Sequence, residues 1–408
     1  MKIILSSIYP YAFLLLYLIL PFDNYIRALP NMLMIGMAAT FPFVVQKSDF
    51  QKIKTPQFFL FVAFVVFLLL NAIMKDQFMA DFNIIKKILI VLGLVVLYIP
   101  VRDTEKVENG IIFSALGSIL FSLINITIVI NTSGGIEAMS FPKLIEALLI
   151  DRLYLGLICV ISILISFKSI EKSFQPKNKY HLANIFLNLL FLLLVVSKIA
   201  LVTLFVVLLF GLLYKSPKRW LLGGILITMG IIVLTVYLTG LTKAMEGPRA
   251  PTSQENENPT FLQNTFTWGL RTITWSCGLE IAKSNGISVF GLGVEATSNQ
   301  LVACYEDTIS PPDKKALFVE KRYNTHNQYL DIYLTFGLVG SLLFLLFLLT
   351  ALFRNRAFFY PTTLLLTFMV FLMFENLFHR QIGSYYVGYI MIIALALYDS
   401  INIKIKGR

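Results

Sequence analysis

Long apolar blocks recur along the whole chain, and their length constrains the fold more than any other feature. Most of them run for 15 to 25 residues, which is the length that an α-helix needs to cross the hydrocarbon core of a bilayer. Only 14% of the 408 residues are charged, whereas about one quarter are charged in a soluble domain. The sequence therefore predicts an all-α, polytopic membrane protein. The blocks occupy residues 3–20, 28–45, 57–74, 84–100, 110–130, 153–167, 182–213, 220–240, 329–353, 358–375 and 384–400.

The basic residues predict how these spans are oriented. Short cytoplasmic loops of membrane proteins retain Lys and Arg, and more than half of the 34 Lys and Arg residues lie in short basic segments. If these segments are cytoplasmic, both termini are cytoplasmic and residues 241–328 form one large periplasmic loop. The net charge of +11 then reflects anchoring to the cytoplasmic side, so we expect no nucleic-acid partner. The basic segments are the N-terminus, residues 46–56, 101–109, 168–181, 214–219 and 354–356, and the C-terminal tail.

The 32-residue block at 182–213 lies between two of these basic segments, so it must cross the membrane twice. Two full spans need about 40 residues, so we expect two short or bent helices that meet below the outer surface at Lys198. A cation inside an apolar block costs roughly 2.5–3.5 kcal/mol and usually has a partner or a ligand. Lys198 is therefore a candidate site residue, and the alternative is a lysine that extends to the membrane interface. The prediction is one domain over residues 1–408 with about twelve spans.

Within the predicted periplasmic loop, a helical pattern starts near Thr265, and Asn285-Gly286 can end it. Trp268, Arg271 and Trp275 share one face of this helix, which predicts that it lies along the membrane interface. A turn is expected at residues 290–293. Arg271 could donate a fork of hydrogen bonds to phosphate oxygens, or it could be a solvated arginine or one stacked on an aromatic ring.

Two histidines are candidates for the site. His326 lies where the predicted loop meets the next span, and a neutral imidazole can accept a proton as a general base. The alternative is a structural histidine bonded to a loop carbonyl. His379 and Arg380 lie at the outer end of a later span and could line the same cavity. No Gly-rich phosphate loop, Asp-x-Asp or metal-ligand spacing is visible, so nothing indicates a metal or another cofactor.

Two of the three cysteines, Cys277 and Cys304, fall in the predicted periplasmic loop. We expect them to be free thiols, with a disulfide as the alternative because that side is oxidising.

Several motifs together resemble the O-antigen ligase superfamily. His326-Asn327, with Gly337 ten residues after Asn327, resembles its His-Asn-x9-Gly signature. The segment 197–200 (Ser-Lys-Ile-Ala) falls where the family usually has Ser/Thr-Arg-Gly/Ala. The resemblance covers residues 182–390, and the first 150 residues match only as hydrophobic spans. Further similar motifs are Arg271-x-x-x-Trp275, which leads to residues 290–293, and Glu375-Asn376, which is followed by Gly383 and Tyr385-Tyr386.

The resemblance implies a GT-C-like glycosyltransferase of the bacterial inner membrane that uses neither a nucleotide sugar nor a metal. Its donor would be a glycan on undecaprenyl diphosphate, and its acceptor would be lipid A-core in a ligase or a growing glycan in a polymerase. His326 would deprotonate the acceptor hydroxyl, and Arg271 and Lys198 would stabilise the diphosphate leaving group. Lys198 replaces an arginine of the family and so loses bidentate geometry. The expected substrate-binding residues are Trp268, Trp275, Asn327 and Arg380.

Two other classes of protein stay open from the residues alone. A transporter of lipid-linked glycans would more often show internal repeats and short loops, whereas this chain shows no repeat and has a long predicted loop at 241–328. A structural or sensory membrane protein would need none of Lys198, Arg271 and His326.

Overall fold

The computed structural model describes residues 2–132, 141–170, 175–195, 197–214, 268–286 and 288–396. Within these ranges the chain is helical and has no β-strand, which confirms the all-α prediction. The helices are α1 (Lys2–Ile19), α2 (Leu29–Val44), α3 (Pro56–Met74), α4 (Phe78–Tyr98), α5 (Thr104–Thr132), α6 (Phe141–Glu146), α7 (Arg152–Ser169), α8 (Asn178–Leu194), α9 (Lys198–Leu213), α10 (Trp268–Ser284), α11 (Val294–Thr308), α12 (Pro312–Lys321), α13 (Gln328–Asn355), α14 (Phe359–Phe374) and α15 (Gln381–Met391). A π-helical turn, Ile392–Ala396, follows α15.

Among the described residues, five helices are long and apolar enough to cross a membrane. They are α1, α3, α5, α7 and α13, and α2, α9, α14 and α15 with its π turn are shorter apolar helices. Each predicted apolar block contains a helix, except the block at 220–240, which lies outside the described residues. The count of twelve spans and the GT-C-like architecture stay predictions.

Aromatic side chains join the long helices into one core. Phe61 and Phe64 of α3 face Phe347 and Phe344 of α13, with ring centroids 4.9 Å and 5.2 Å apart. All four rings are buried, and aromatic pairs in this range add to the stability from burial alone. These contacts therefore join α3 and α13 within the buried core of the bundle.

The apolar block 182–213 is broken into two short helices, as the sequence predicts. α8 ends at Leu194 and α9 begins at Lys198, with 17 and 16 residues respectively. Gly156 of α7 lies against this break, and a Cβ added there would come within 2.5 Å of Ser197 Oγ. The absence of a side chain at position 156 therefore lets the junction approach α7 closely.

Gly337 breaks α13 within its third turn. Its φ of 72° and ψ of −165° are non-helical, in a region that is essentially restricted to glycine. The hydrogen bonds that the kink removes are replaced by bonds to residues 288–293, which form the expected turn with Gly291 and Gly293 at positive φ. The replacement bonds are Leu292 N to Leu334 O at 2.7 Å, Gly293 N to Thr335 O at 2.9 Å, Leu338 N to Ser288 O at 2.9 Å and Val339 N to Val289 O at 3.2 Å.

The structure corrects the expectation of two free thiols, because Cys277 and Cys304 form a disulfide. Cys277 lies on α10 and Cys304 on α11, and these helices pack around a small core that includes Ile281, Leu301 and Tyr305. This packing brings the two Cα atoms within 5.8 Å, inside the range that a disulfide can span. The sequence separation of 27 residues gave no indication of that proximity.

Candidate active site

A histidine and a glutamate form the centre of the site. His326 lies just before α13 and has a left-handed backbone, with φ of 45°. Its Nδ1 atom is 3.0 Å from Glu375 Oε2, and Glu375 directly follows the last residue of α14. The backbone N–H of His326 donates to Asn324 Oδ1 at 2.9 Å. A left-handed backbone is uncommon outside glycine and often marks a functional position.

The charge of Glu375 decides which nitrogen of His326 carries the proton. Burial raises the pKa of Glu375, but the hydrogen bond with His326 and the charges of Arg271 and Arg380 oppose this effect, and the pKa lies below its usual value. Glu375 is therefore a carboxylate, and His326 Nδ1 must donate to it. In a neutral imidazole this leaves Nε2 with its lone pair. Nε2 is buried without a hydrogen-bond partner among the described residues, so it is placed to accept a proton.

Hydrogen bonds from three elements hold this pair in position. Asn376 Nδ2 donates to Thr325 Oγ1 at 3.3 Å, and the Thr274 hydroxyl of α10 donates to the Thr325 carbonyl at 3.3 Å. The Phe378 N–H donates to Gln328 Oε1 at 3.1 Å. The segments next to His326 and Glu375 are therefore hydrogen-bonded directly to each other, which restrains the geometry of the pair.

Three cationic side chains interact with one another near Glu375, and one of them, Arg271, acts on Glu375 directly. Arg271 of α10 donates from Nε to the Phe374 carbonyl at 3.1 Å, and its charge interacts with those of Glu375, Arg152 and Asp151. Lys198, the first residue of α9, interacts electrostatically with Arg152. Arg271 and His326 thus both interact with Glu375. Lys198 and Arg271 both interact with Arg152. We call Arg152, Lys198 and Arg271 the cation cluster, and its charge suits an anionic ligand.

The predicted substrate-binding residues occupy different environments. Trp275 is buried, with its ring 6.2 Å from that of Phe374. Asn327 caps α13, because its Oδ1 accepts from the N–H groups of Tyr329 and Leu330 at 3.1 Å. Its side-chain oxygen is therefore already engaged. Trp268 begins α10, and its side chain lies outside the described residues. The binding roles of all three stay predictions.

Arg380 lies at a cavity beside the pair. Its Nη1 is 3.3 Å from Asp151 Oδ2, and its guanidinium carbon is 5.8 Å from the centre of the Tyr154 ring. Its charge also contributes to the lowered pKa of Glu375. Arg380 and His379 therefore line this cavity, and the binding role of Arg380 stays a prediction.

Sequence reasoning missed Glu375 and Arg152 as site residues. It also missed that His379 has a carboxylate partner, since His379 Nε2 is 2.8 Å from Asp331 Oδ2. Arg152 immediately precedes the apolar block 153–167, and Glu375 ends the block 358–375. A charged residue at the predicted outer end of a span was the signal that could have found both.

Fold and site together define a helical membrane protein in which a carboxylate-bound histidine lies beside a cluster of cations. The model of the O-antigen ligase family matches residues 183–345. This region contains Lys198, Arg271, His326 and the kink at Gly337, and the match supports its assignment to the O-antigen ligase superfamily, as the motifs indicate. No curated protein matches the chain.

Proposed function

We propose that this protein transfers a glycan from undecaprenyl diphosphate to an acceptor hydroxyl on the periplasmic face of the inner membrane. The reaction is metal-independent and inverting, and lipid A-core is the acceptor of the O-antigen ligase form that we favour. A growing glycan would be the acceptor if the protein is an O-antigen polymerase. The observation that carries the proposal is the His326–Glu375 pair, which leaves a buried imidazole nitrogen as proton acceptor next to the cation cluster.

In the proposed reaction, His326 Nε2 takes the proton of the acceptor hydroxyl while the oxygen attacks the anomeric carbon of the donor sugar. The bond from that carbon to the diphosphate oxygen breaks, and its electron pair stays on the diphosphate. Attack opposite the leaving group inverts the anomeric centre. The Glu375 carboxylate stabilises the imidazolium that forms.

The cation cluster stabilises the negative charge that grows on the leaving diphosphate. A preorganised donor of this kind typically contributes about 10²–10³ in rate. Arg271 can offer a bidentate fork, whereas Lys198 acts as a compact point charge. The family match over residues 183–345 supports a reaction of this type.

The test is a His326→Ala substitution in the native host, with lipopolysaccharide analysed on a gel. Lipid A-core without O-antigen, together with long glycan accumulating on undecaprenyl diphosphate, is the result expected of a ligase. Core that carries a single repeat would indicate a polymerase.

An unchanged ladder would contradict His326 as the base, provided that the variant is present in the membrane and no second enzyme substitutes for it. It would also favour the transporter alternative, which predicts translocation of the lipid-linked glycan across the membrane.

A further inference from the structure

A polar cavity of about 330 Å³ lies at the same end of the helix bundle as the candidate site. The segment after α1 supplies Asp23 and Asn24, α4 supplies Lys87, and the start of α7 supplies Asp151 and Tyr154. The rest of the wall is the segment that follows Glu375. Most of these segments are short connections between spans that the charge pattern places on the periplasmic side. The lining residues of that wall are His379, Arg380, Gln381 and Ile382, and Ile150 completes the cavity.

Tyr154 connects this cavity to the candidate site. Its side chain is only 1% exposed, and its hydroxyl is buried without a hydrogen-bond partner among the described residues. Buried hydroxyls are normally hydrogen-bonded, so a buried hydroxyl in a cavity wall points to a ligand that supplies the bond. The charges of Glu375, Arg380 and Asp151 all act on Tyr154, which places the cavity next to the His326–Glu375 pair.

The charge of the cavity differs from that of the cation cluster. Two carboxylates, Asp23 and Asp151, face two cations, Lys87 and Arg380. Arg380 pairs with Asp151 at 3.3 Å, and Lys87 donates to the His379 carbonyl at 2.5 Å. The two carboxylates and two cations of the cavity cancel, whereas the three cations of the cluster outnumber Glu375 and Asp151, the carboxylates that act on Arg271. The cavity therefore attracts a diphosphate less than the cation cluster does.

The same groups suit a sugar. Carboxylate and amide oxygens accept hydrogen bonds from hydroxyl groups, while Arg, Lys and amide N–H groups donate to them. The imidazole of His379 is held through Nε2 by the buried Asp331, so its orientation in the wall is fixed. A concave site with a few convergent polar groups and an aromatic ring is a usual form of a small-ligand site.

We propose that this cavity binds a sugar ring of the glycan, with Tyr154 and Asp151 as direct contacts, beside the cation cluster that holds the diphosphate. The identity of the glycan rests on the proposed function. The sugar could belong to the acceptor or to the donor, and the two sources share this chemistry. Asp151 and Arg152 are adjacent in the chain, so one corner at the start of α7 contributes to both the sugar site and the cation cluster.

The experiment uses the full chain in lipid nanodiscs with an Asn24→Cys substitution at the exposed edge of the cavity. Cys159 is buried and the other two cysteines form the disulfide, so a water-soluble maleimide reports on position 24. The protein also carries His326→Ala, so that binding is measured without turnover. The two probes are core oligosaccharide freed of lipid A and O-glycan freed of its lipid carrier.

We expect one of the two oligosaccharides to slow labelling, and the one that does so identifies the source of the sugar. Tyr154→Phe and Asp151→Asn should each weaken this protection by about 3- to 10-fold, the effect of losing one hydrogen bond to the ligand. Tyr386→Phe is the matched control, because Tyr386 is also fully buried but does not line the cavity. In this control the oligosaccharide should slow labelling of position 24 as much as it does without the Tyr386→Phe substitution.

The sugar site would be overturned if neither oligosaccharide slows labelling, or if Tyr154→Phe and Asp151→Asn behave like Tyr386→Phe. Its failure can be distinguished from failure of the proposed function. If the protein with His326 intact transfers glycan and no protection is seen, only the sugar site is wrong. If protection is seen and no transfer occurs, the cavity binds sugar but the proposed function is wrong.

Discussion

His326 and Glu375 are 49 positions apart in the chain, yet their side chains meet at 3.0 Å. This contact determines both the orientation of the His326 ring and its protonation. A carboxylate on Nδ1 selects the tautomer in which Nε2 is basic, and it stabilises the charge that appears when Nε2 takes a proton. Arg271 and Arg380 contribute to keeping Glu375 ionised, so in the proposed reaction these cations would also support the base.

A Glu375→Gln substitution tests this dependence. Glutamine has nearly the same size and can still accept the Nδ1 proton, but it removes the charge that stabilises the imidazolium. We expect kcat for glycan transfer to fall by about 10²-fold or more, with little change in the KM for the donor. The measurement is transfer by purified protein in nanodiscs.

The matched control is Glu320→Gln on the exposed surface of α12, which should leave kcat unchanged. If Glu375→Gln retained the activity of the control, the carboxylate would have no part in the reaction.

Lys198 stands at a position where the related family usually has arginine. Lys198→Arg keeps the charge near Arg152 and adds a fork of donors, so we expect transfer to stay within about threefold of the unchanged protein. Lys198→Gln removes the charge and should lower kcat by about 10²-fold.

Both Lys198 variants are compared in the nanodisc assay, with their amounts in the membrane matched. Full activity of Lys198→Gln would favour the alternative in which Lys198 only extends to the membrane interface.

The kink of α13 at Gly337, the glycine of the His-Asn-x9-Gly motif, links this helix to the segment that follows α10. The kink lets residues 288–293 hydrogen-bond to both halves of the helix, and this turn leads from α10 to α11. Lys75 strengthens the joint, since its Nζ donates to the Gly291 carbonyl at 2.7 Å. The end of α10 that follows Arg271 is therefore anchored to the helix that begins next to His326.

Gly337→Ala should disrupt this joint. An added Cβ would lie 2.3 Å from Gly291 N and 2.5 Å from Val289 O, at a backbone conformation with φ of 72°. We expect the free energy of unfolding to fall by about 3 kcal/mol or more, measured by thermal unfolding in detergent micelles.

Gly117→Ala in α5 is the control. A Cβ there meets nothing within 4 Å, and alanine is the better helix former by up to about 1 kcal/mol. An equal loss in the two variants would show that the kink does not need glycine.

On the scale of the whole molecule, the two ends of the bundle differ in their contacts. At one end the predicted cytoplasmic segments contact each other, as in the bond from Arg102 to Gln46 at 3.2 Å and the bond from Lys52 Nζ to the Ile99 carbonyl at 2.7 Å. The cation cluster and the sugar cavity lie in segments that the charge pattern assigns to the other end. There α10, α11 and α12 share a small core closed by the Cys277–Cys304 disulfide, a bond that forms in oxidising compartments.

The disulfide gives a test of that orientation. In protein isolated under thiol-blocking conditions and then unfolded without reductant, Cys159 alone should react with a maleimide of high mass, which a gel shows as one added mass. After reduction, all three cysteines should react.

The disulfide should stabilise the packing of α10 against α11 by about 3–4 kcal/mol, according to the chain-entropy relation for a loop of this length. Reaction of all three cysteines without reduction would contradict both the disulfide and the periplasmic placement of α10 and α11.

Local sequence properties predict the apolar helices of the described residues and the helix break before Lys198. Both follow from local properties, namely the length of apolar blocks and the position of charges between them. The sequence also marked Arg271 and His326, because a polar residue next to a membrane span is conspicuous. The turn at 290–293 was visible because glycines adopt positive φ.

The contacts between these residues depend on the tertiary structure. The partner of His326, the place of Arg152 beside Lys198 and Arg271, and the pairing of Cys277 with Cys304 depend on contacts between helices far apart in the chain. Periodicity and charge pattern describe each helix separately and do not specify which helices are neighbours. Candidate site residues could therefore be named from the sequence, but their geometry depends on the packing that brings the ends of α7, α9, α10, α13 and α14 together.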